Sequence, residues 1–244
     1  MIRSIKVLFF MIWHFIVNTK GRRKYRVDDK QLEFEMQKEY SEQIYRIMQS
    51  FSKGMVKYSG SKLEVRGIEN LPTTSGILYM ANHKGMFDPM VVASIIDDPC
   101  IFIGKEEIQK MPIIRDWFEA IGSIYLARDD ARQSLEVIKK GTQLLKDGQS
   151  VVIYPEGTRS KTGDVGEFKA GSFKLAFNSG ATIVPMAIKN TEKILESNGL
   201  KIKGQTVYVN IGKPIGVVGM SREQQKELPK KVEQYVAQLL EELP

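Results

Sequence analysis

The amino-acid sequence predicts an α/β fold in which a mixed, largely parallel sheet is flanked by helices. From Lys62 onwards, short β-rich runs alternate with amphipathic helical patterns, as in domains built on parallel strands. With 244 residues, 42% of them hydrophobic, the chain is long enough to bury such a core. An apolar and then basic N-terminus precedes this body and predicts a two-helix membrane-associating region. We therefore divide the chain into residues 1–60 and residues 61–244, the α/β domain.

The first helix is predicted over residues 5–17, where IKVLFFMIWHFIV is almost continuously apolar. A helix needs about 20 apolar residues to span a bilayer, so this run is too short to cross comfortably. A signal peptide carries its charge before the apolar run, whereas here KGRRKYR follows it at 20–26. We expect a retained helix in the membrane interface, with contacts from Phe9, Phe10, Trp13, Arg22, Arg23 and Lys24. A buried core helix is the alternative, and His14 is expected to be a packed or interfacial histidine.

The net charge of +7 lies entirely in residues 1–26, whereas residues 27–244 hold 29 basic and 29 acidic residues. This distribution predicts contact with an anionic membrane surface, monotopic association on the cytoplasmic face of the cell membrane, and no binding of nucleic acid.

The single cysteine, Cys100, excludes a disulfide within the chain. Two histidines and no clustered carboxylates predict that the chain has no metal site, and we expect no cofactor.

Periodicity predicts the remaining elements. Apolar residues from Leu32 to Met55 recur at three- and four-residue steps, which predicts a second helix from 28 to 58. The strands are predicted at 62–66, 76–81, 100–103, 122–127, 150–154, 182–188 and 206–211. The helices of the body are predicted at 89–96, 106–120, 130–147, 168–179 and 222–242. In open α/β sheets, functional sites collect where strands end and helices begin, and two such junctions carry unusual residues.

The first junction is NHKGMFDP at 82–89, which follows an apolar strand. His83 lies just past the strand end, and Asp88 follows five residues later. A loop of this length can bring the carboxylate to one imidazole nitrogen, leaving the other nitrogen free to take a proton from a hydroxyl. The alternative for Asp88 is structural, because Asp followed by Pro89 is an ordinary helix start.

The second junction is VVIYPEGTRS at 151–160, where a strand runs into a turn. Gly157 permits an unusual backbone turn, and Arg159 can grip a phosphate through its bidentate guanidinium. A solvated arginine after an ordinary strand-exit turn is the alternative. The usual phosphate-binding glycine motifs and the serine-hydrolase elbow G-x-S-x-G do not occur in the sequence.

These residues resemble the glycerolipid acyltransferases, the family that includes 1-acylglycerol-3-phosphate acyltransferase. NHKGMFD at 82–88 is similar to the family's N-H-x-x-x-x-D motif, and YPEGTRS at 154–160 to its F-P-E-G-T-R-S motif. GSIYLARDD at 122–130 and IVPMAIKN at 183–190 resemble two further motifs. The four motifs occur in order and are jointly specific. Tyr154 departs from the usual Phe, and Met186-Ala187 from the bulkier run of the fourth motif.

The resemblance implies an acyl transfer to the free hydroxyl of lysophosphatidic acid, giving phosphatidic acid. His83 is then the general base and Asp88 orients it. Arg159 and Arg128 hold the acceptor's phosphate, while Glu156, Gly157 and Thr158 shape the glycerol site. Lys105 is a weaker phosphate candidate, by position alone. Backbone amides near Gly157 or in the 82–85 turn are candidate donors to the oxyanion.

Several alternatives stay open at the level of sequence. The donor is an acyl thioester of either acyl carrier protein or coenzyme A. The acceptor is lysophosphatidic acid, with glycerol-3-phosphate or another lysophospholipid as the alternative. A different class of protein, a non-catalytic membrane adaptor, is disfavoured because an adaptor has no need for an oriented base beside an anion site.

Overall fold

The structure, a computed structural model, describes residues 2–27, 34–127, 131–160 and 163–244. Seven strands form one mixed sheet in the order β1-β7-β6-β2-β5-β3-β4. Their bounds are β1 (Lys62–Arg66), β2 (Leu78–Ala81), β3 (Cys100–Lys105), β4 (Ile124–Leu126), β5 (Ser150–Ile153), β6 (Ile183–Lys189) and β7 (Thr206–Ile211). All neighbours are parallel except β6 and β7. The predicted fold class is confirmed, and each predicted strand is present to within two residues at either end.

Eight α-helices accompany the sheet in the described residues. Their bounds are α1 (Ile2–Val17), α2 (Thr19–Tyr25), α3 (Phe34–Ser59), α4 (Asp88–Ile95), α5 (Pro112–Ala120), α6 (Ala131–Lys146), α7 (Lys174–Ser179) and α8 (Arg222–Glu241). Residues 28–33, where the sequence predicts the start of the second helix, lie outside the described residues, as does residue 130, the predicted first residue of the 130–147 helix. Short 3-10 helices occupy Ile68–Asn70, Glu106–Lys110, Ala170–Phe173 and Glu196–Asn198.

Two predicted helices are shorter than the periodicity suggested. The segment 106–120 is a 3-10 helix followed by α5, and the break falls before Pro112, whose missing amide suits a first turn but not a helix interior. The segment 168–179 begins as a 3-10 helix at Ala170 and becomes α7 only at Lys174. Gly171 lies in that first part, and glycine costs about 1 kcal/mol more than alanine in an α-helix.

Helices cover both faces of the sheet, so its central strands are apolar on both sides. Along β2, Tyr79 and Ala81 face a cluster built with α1, α3, α4 and α5, while Leu78 and Met80 face a second cluster built with α6, α7 and α8. All four residues are buried, as expected for a strand buried on both faces. This packing fixes the strand ends from which the site residues project.

The N-terminal region packs against the body, and two predicted membrane contacts are wrong. Phe10 is buried, stacked against Tyr58 of α3 at 4.7 Å between ring centroids. Arg22 is also buried: it forms an ion pair with Asp116 of α5 and donates to the Phe15 carbonyl at 2.7 Å. The error has a physical cause, because the basic run forms a helix of its own, α2, that turns Arg22 towards an acidic side chain of the body.

His14 is the packed histidine that the sequence allowed. Its Nε2 lies 2.7 Å from the Ser50 hydroxyl, and its ring contacts those of Phe10, Phe51 and Trp117. Nδ1 is buried, and no described residue forms a hydrogen bond with it. Burial, with a smaller effect of the Arg22 charge, lowers the pKa of His14 from 6.5 to about 4.

The other face of α1 stays exposed. It carries large apolar side chains at helical spacing: Ile2, Ile5, Leu8, Phe9, Ile12, Trp13, Ile16 and Val17. Arg23 and Lys24 on α2 are exposed as well. Among the described residues no single helix has the length and apolar character to cross a bilayer; α1 and α2 taken together do, but they meet at an angle of 58°.

Candidate active site

The site lies at the C-terminal ends of the parallel strands, along one edge of the sheet. Strands β6, β2, β5, β3 and β4 run in the same direction, so their C-terminal ends meet there. His83 follows β2, and the turn that begins at Tyr154 follows the neighbouring strand β5. Asn82, fully buried, exchanges two hydrogen bonds with the backbone of Ile188, at 2.9 and 2.7 Å, and so joins the end of β2 to β6. The two junctions singled out by sequence are therefore adjacent.

His83 and Asp88 form a hydrogen-bonded pair. Nδ1 of His83 lies 2.7 Å from Oδ2 of Asp88, which fits an Nδ1–H donor and an ionised carboxylate. Asp88 is completely buried, while the His83 side chain keeps 20% of its surface exposed. This geometry engages Nδ1 with Asp88 inside the protein. Nε2 is then the ring nitrogen that can accept a proton from a substrate.

Asp88 is not a helix cap. The N-cap of α4 is Phe87, and the Asp88 carboxylate turns back to the preceding loop, where its Oδ2 accepts from the amides of Lys84 at 2.6 Å and Gly85 at 2.9 Å. Its other oxygen, Oδ1, accepts a hydrogen bond from the Thr191 hydroxyl. These donors hold the carboxylate against His83 and satisfy a buried charge that would otherwise be costly.

Tyr154 forms a wall behind the imidazole. Its ring stacks on that of His83, with 4.3 Å between centroids and an interplanar angle of 21°. Its buried hydroxyl has no hydrogen-bond partner in the described part of the chain, and burial raises the pKa of Tyr154 well above its ordinary value. A neutral aromatic face of this kind restricts the ring rotation of His83 without competing for Nε2.

Glu156 connects the two junctions. Oε1 accepts from the backbone amide of His83 at 2.8 Å, and Oε2 accepts from the amide of Gly166 at 3.0 Å. Burial raises the pKa of Glu156, and these two hydrogen bonds oppose the shift. Gly166 is a close approach, because a Cβ there would lie 2.5 Å from Oε2. The structure thus places the predicted glycerol-site residue Glu156 between the two junctions, where its carboxylate holds the His83 amide and lines the cavity described next.

A cavity of about 600 Å³ opens beside this network. It is lined by Glu156, Thr158, Arg159, Ser160, Gly166, Glu167 and Lys169. Gly157, with φ of 66°, provides the left-handed residue of the turn that presents Thr158 and Arg159. Arg159 is half-exposed and pairs with Glu196 at 2.9 Å. The cavity offers a guanidinium and a hydroxyl, which are suitable donors for a phosphate.

Of the two remaining phosphate candidates, the structure describes only Lys105. It is the last residue of β3, at the same edge of the sheet, but β5 lies between β3 and β2. Arg128 lies outside the described residues. Lys84 is a cation closer to the pair, and it was not among the site residues predicted from sequence. Its ammonium donates to the carbonyls of Gly163 and Asp164 at 2.7 and 2.6 Å. Burial lowers the pKa of Lys84.

Four of the amides suggested as oxyanion donors already have protein acceptors. Those of His83, Lys84 and Gly85 donate to Glu156 and Asp88, and that of Gly157 donates to the Tyr154 carbonyl at 2.9 Å. In this arrangement they build the turn and hold the carboxylates. These four amides are therefore engaged by protein acceptors, and the expectation of an oxyanion donor stays a prediction for the other amides near Gly157.

Sequence reasoning missed Thr191 and Glu196, which both follow β6. The available signal was positional, since β6 was predicted to end near Ile188 and its end shares the edge occupied by His83. Thr191 reaches Asp88, and Glu196 reaches both Arg159 and the amide of Met86. Neither residue has a charge pattern or spacing that marks it in the sequence.

This chain is similar to known proteins over the region that contains the site. A family model described as Acyltransferase matches residues 62–189, which is more than half of the chain and includes both junctions. A Borreliella burgdorferi protein named 1-acyl-sn-glycerol-3-phosphate acyltransferase is 28% identical over 75% of this chain and 73% of its own length. An Arabidopsis thaliana chloroplast protein of the same name is 37% identical over 65% of this chain and 45% of its own length.

The fold is also that of a solved structure. The crystal structure of a 1-acyl-sn-glycerophosphate acyltransferase from Thermotoga maritima is similar, with a TM-score of 0.76, 24% identity, and coverage of 98% of this chain and 97% of that one. At this identity the likeness concerns the fold. The matched family model covers the buried His–Asp pair, the turn that presents Arg159 and the sheet that joins them, and this chain belongs to the acyltransferase family.

Proposed function

We propose that this protein transfers an acyl chain from an acyl thioester to the free sn-2 hydroxyl of lysophosphatidic acid, giving phosphatidic acid. The observation that carries the proposal is the hydrogen bond of 2.7 Å between His83 Nδ1 and a fully buried Asp88, beside a cavity lined by Arg159. Relatives that match most of the chain's length are named 1-acyl-sn-glycerol-3-phosphate acyltransferases, which supports the choice of acceptor.

The pair supports acyl transfer without a covalent enzyme intermediate. Nε2 of His83 takes the proton of the acceptor hydroxyl as its oxygen attacks the thioester carbonyl carbon. The C–O bond forms, the tetrahedral intermediate collapses with cleavage of the C–S bond, and the leaving thiolate takes the proton back from the imidazolium. Asp88 stays ionised and stabilises the imidazolium while the reaction proceeds. Cys100, which is fully buried beneath Tyr45, takes no part in these steps.

The cavity suits the acceptor's headgroup. Arg159 provides the fork for the phosphate, and the Thr158 hydroxyl adds a donor. Gly157 allows the backbone to approach closely at this turn. We keep Arg128 and Lys105 as further phosphate ligands in the proposal, on the motif and on position at the sheet edge respectively.

Membrane association is part of the same proposal. The exposed apolar face of α1, including Phe9 and Trp13, and the exposed Arg23 and Lys24 on α2 fit a helix pair lying on an anionic leaflet. Basic residues beside an apolar segment favour the cytoplasmic side, so we propose monotopic association there. The acceptor and product are lipids, so membrane association would bring the enzyme to the surface that holds them.

The donor is a thioester of acyl carrier protein or of coenzyme A, and the chemistry at His83 is the same for both. Release of free thiol tests the function directly. The full-length protein in mixed micelles is offered each thioester with lysophosphatidic acid, with glycerol-3-phosphate, or with no acceptor. We expect thiol release that depends on lysophosphatidic acid. Equal release without an acceptor indicates a thioesterase, and no release with any combination supports the adaptor.

A further inference from the structure

Glu196 occupies a position suited to a phosphate oxygen. Its Oε1 accepts two hydrogen bonds, one of 2.7 Å from the backbone amide of Met86 and one of 2.9 Å from Nη1 of Arg159. Met86 belongs to the loop between His83 and Asp88, and Arg159 belongs to the turn after β5. One carboxylate oxygen thus joins the two junctions at the mouth of the site.

The donor set around this oxygen is one that also binds phosphates. A backbone amide and a guanidinium converging on one anionic oxygen are the usual components of phosphate sites. The proposed function assigns Arg159 to the acceptor's phosphate, but in the free protein that guanidinium already has an anionic partner. A phosphate that takes the Nη1–H now donated to Glu196, together with the Met86 amide, must first displace the carboxylate.

We propose that Glu196 is an internal phosphate mimic that binds Arg159 and the Met86 amide in the free enzyme, yields them to the acceptor's phosphate, and returns as the product leaves. This inference rests on the proposed function for the identity of the phosphate. It adds the Met86 amide to the phosphate-binding donors and makes Glu196 a residue that sets the affinity for both acceptor and product.

The ion pair between Arg159 and Glu196 is weak enough for a phosphate to displace it. Arg159 keeps 47% of its side-chain surface exposed and Glu196 keeps 24%, and ion pairs of such exposure are weak. Oε2 of Glu196 is buried and has no hydrogen-bond partner among the described residues, so rotation of the side chain towards water restores hydration to that oxygen. Glu196 begins a 3-10 helix of only three residues, and a change of side-chain rotamer is enough to release Arg159.

Displacement by Glu196 would assist release of the product. Phosphatidic acid carries the same phosphate as lysophosphatidic acid, so a site that held the phosphate tightly would retain its product. A competing internal anion weakens both complexes by the same factor, because the binding of either phosphate requires the same free energy to displace Glu196. Uniform weakening of this kind raises KM without lowering the rate of the chemical step.

The test replaces Glu196 with Gln, which keeps the shape but removes the charge that competes for Arg159. We expect the dissociation constant for inorganic phosphate, measured by calorimetry on the full-length protein in detergent, to fall about two- to sixfold. KM for lysophosphatidic acid and the inhibition constant of phosphatidic acid should fall by that same factor, with kcat equal or lower. Turnover of a monoacylglycerol, which lacks the phosphate, should keep its KM.

Two controls separate the mimic from other effects. Glu227→Gln removes an exposed carboxylate that pairs with Lys231 on α8, far along the chain from the site, and should leave phosphate affinity unchanged. In an Arg159→Ala background, Glu196→Gln should have a smaller effect on phosphate binding, because only the competition for the Met86 amide remains. Glu196→Asp, whose shorter side chain retracts the carboxylate, provides the second variant should Glu196→Gln fail to fold.

The outcomes distinguish this inference from the proposed function. Unchanged or weaker phosphate binding in folded Glu196→Gln or Glu196→Asp overturns the mimic, even where the wild-type protein acylates lysophosphatidic acid. Tighter phosphate binding without any thiol release by the wild-type protein keeps the mimic and overturns the proposed function. An undiminished effect of Glu196→Gln in the Arg159→Ala background also overturns the mimic.

Discussion

The hydroxyl of Thr191 donates to Oδ1 of Asp88, the oxygen opposite the one that holds His83. Thr191 is completely buried and follows β6, whereas Asp88 begins α4, so this bond fixes the carboxylate from a third segment of the chain. Oδ2 meanwhile receives the imidazole and two amides. Hydrogen bonds to both oxygens therefore fix the orientation of the Asp88 carboxylate. Because this carboxylate holds Nδ1 of His83, it also fixes the direction in which Nε2 points.

Replacement of Thr191 by Val therefore affects catalysis as well as stability. The change keeps the shape and removes one charge-assisted hydrogen bond, whose contribution is about 1.5–3 kcal/mol. We expect kcat to fall by roughly tenfold, with KM for the acceptor unchanged, in steady-state thiol-release assays. Thr142→Val is the matched control, because the Thr142 hydroxyl is buried without a partner and its loss should leave kcat intact. Equal kcat in Thr191→Val and wild type would remove Thr191 from the positioning of Asp88.

Arg159→Lys tests the phosphate site. Lysine keeps the charge but loses the planar fork, so KM for lysophosphatidic acid should rise by about tenfold while KM for the thioester stays near its wild-type value. Varying each substrate at saturating levels of the other gives the two constants. Arg115→Lys, an arginine of α5 that donates to the Gln109 carbonyl at 3.5 Å, is the control for a general effect of the substitution. A parallel rise of both KM values argues against a phosphate ligand.

The membrane proposal is tested without deleting the N-terminus, because Phe10 and Arg22 pack into the body. Phe9→Ser and Trp13→Ser change only residues with 70% and 49% exposure on α1. The double variant should bind anionic vesicles at least tenfold more weakly in co-sedimentation, since each buried aromatic side chain contributes about 1.5–3 kcal/mol. Turnover on a short-chain, water-soluble acceptor should be spared.

Val218→Ser is the control for that experiment, since Val218 is 83% exposed and lies outside the N-terminal region. It should leave vesicle binding unchanged. Binding by the double variant that equals wild type, in folded protein, places the membrane contact elsewhere.

His14 predicts a pH dependence of stability. Its pKa is lowered to about 4 in the folded protein, against 6.5 when unfolded, so between these values the unfolded chain binds the extra proton. Stability should thus rise with pH from 4 to 6.5, by up to about 3 kcal/mol from this residue, and level off above. Urea unfolding across this range measures it. His14→Phe should lose much of the slope between pH 4 and 6.5; an identical slope in the two proteins would show that His14 does not titrate in this way.

The strands and the His83–Asp88 pair could be predicted from sequence because local signals determine them. β-Branched runs such as SVVI and IVPMAIK mark buried parallel strands, and the five-residue spacing of the pair fits one tight loop. Tyr154 was noted only as a departure from a motif, and its stacking on His83 depends on the pairing of β2 with β5, which periodicity does not specify.

The burial of Phe10 and Arg22 could not be predicted in the same way. An apolar helix with a basic flank has the same composition whether a given residue faces lipid or protein. Phe10 faces α3 because of its angular position on α1, and Arg22 pairs with Asp116, a residue 94 positions away by number. Long-range pairing of this kind, like that of Thr191 with Asp88 and Glu196 with Arg159, follows from topology and not from local pattern.

The most direct test of the account is the turnover of His83→Ala and Asp88→Asn per folded enzyme, measured as thiol release that depends on lysophosphatidic acid. A positioned general base contributes about 10²–10⁴ in rate, so His83→Ala should lose at least a hundredfold in kcat, and Asp88→Asn should lose less. Thermal unfolding and vesicle binding provide the control that each variant is folded. Turnover of His83→Ala within tenfold of wild type would contradict the assignment of His83 as the base on which the proposed acyl transfer depends.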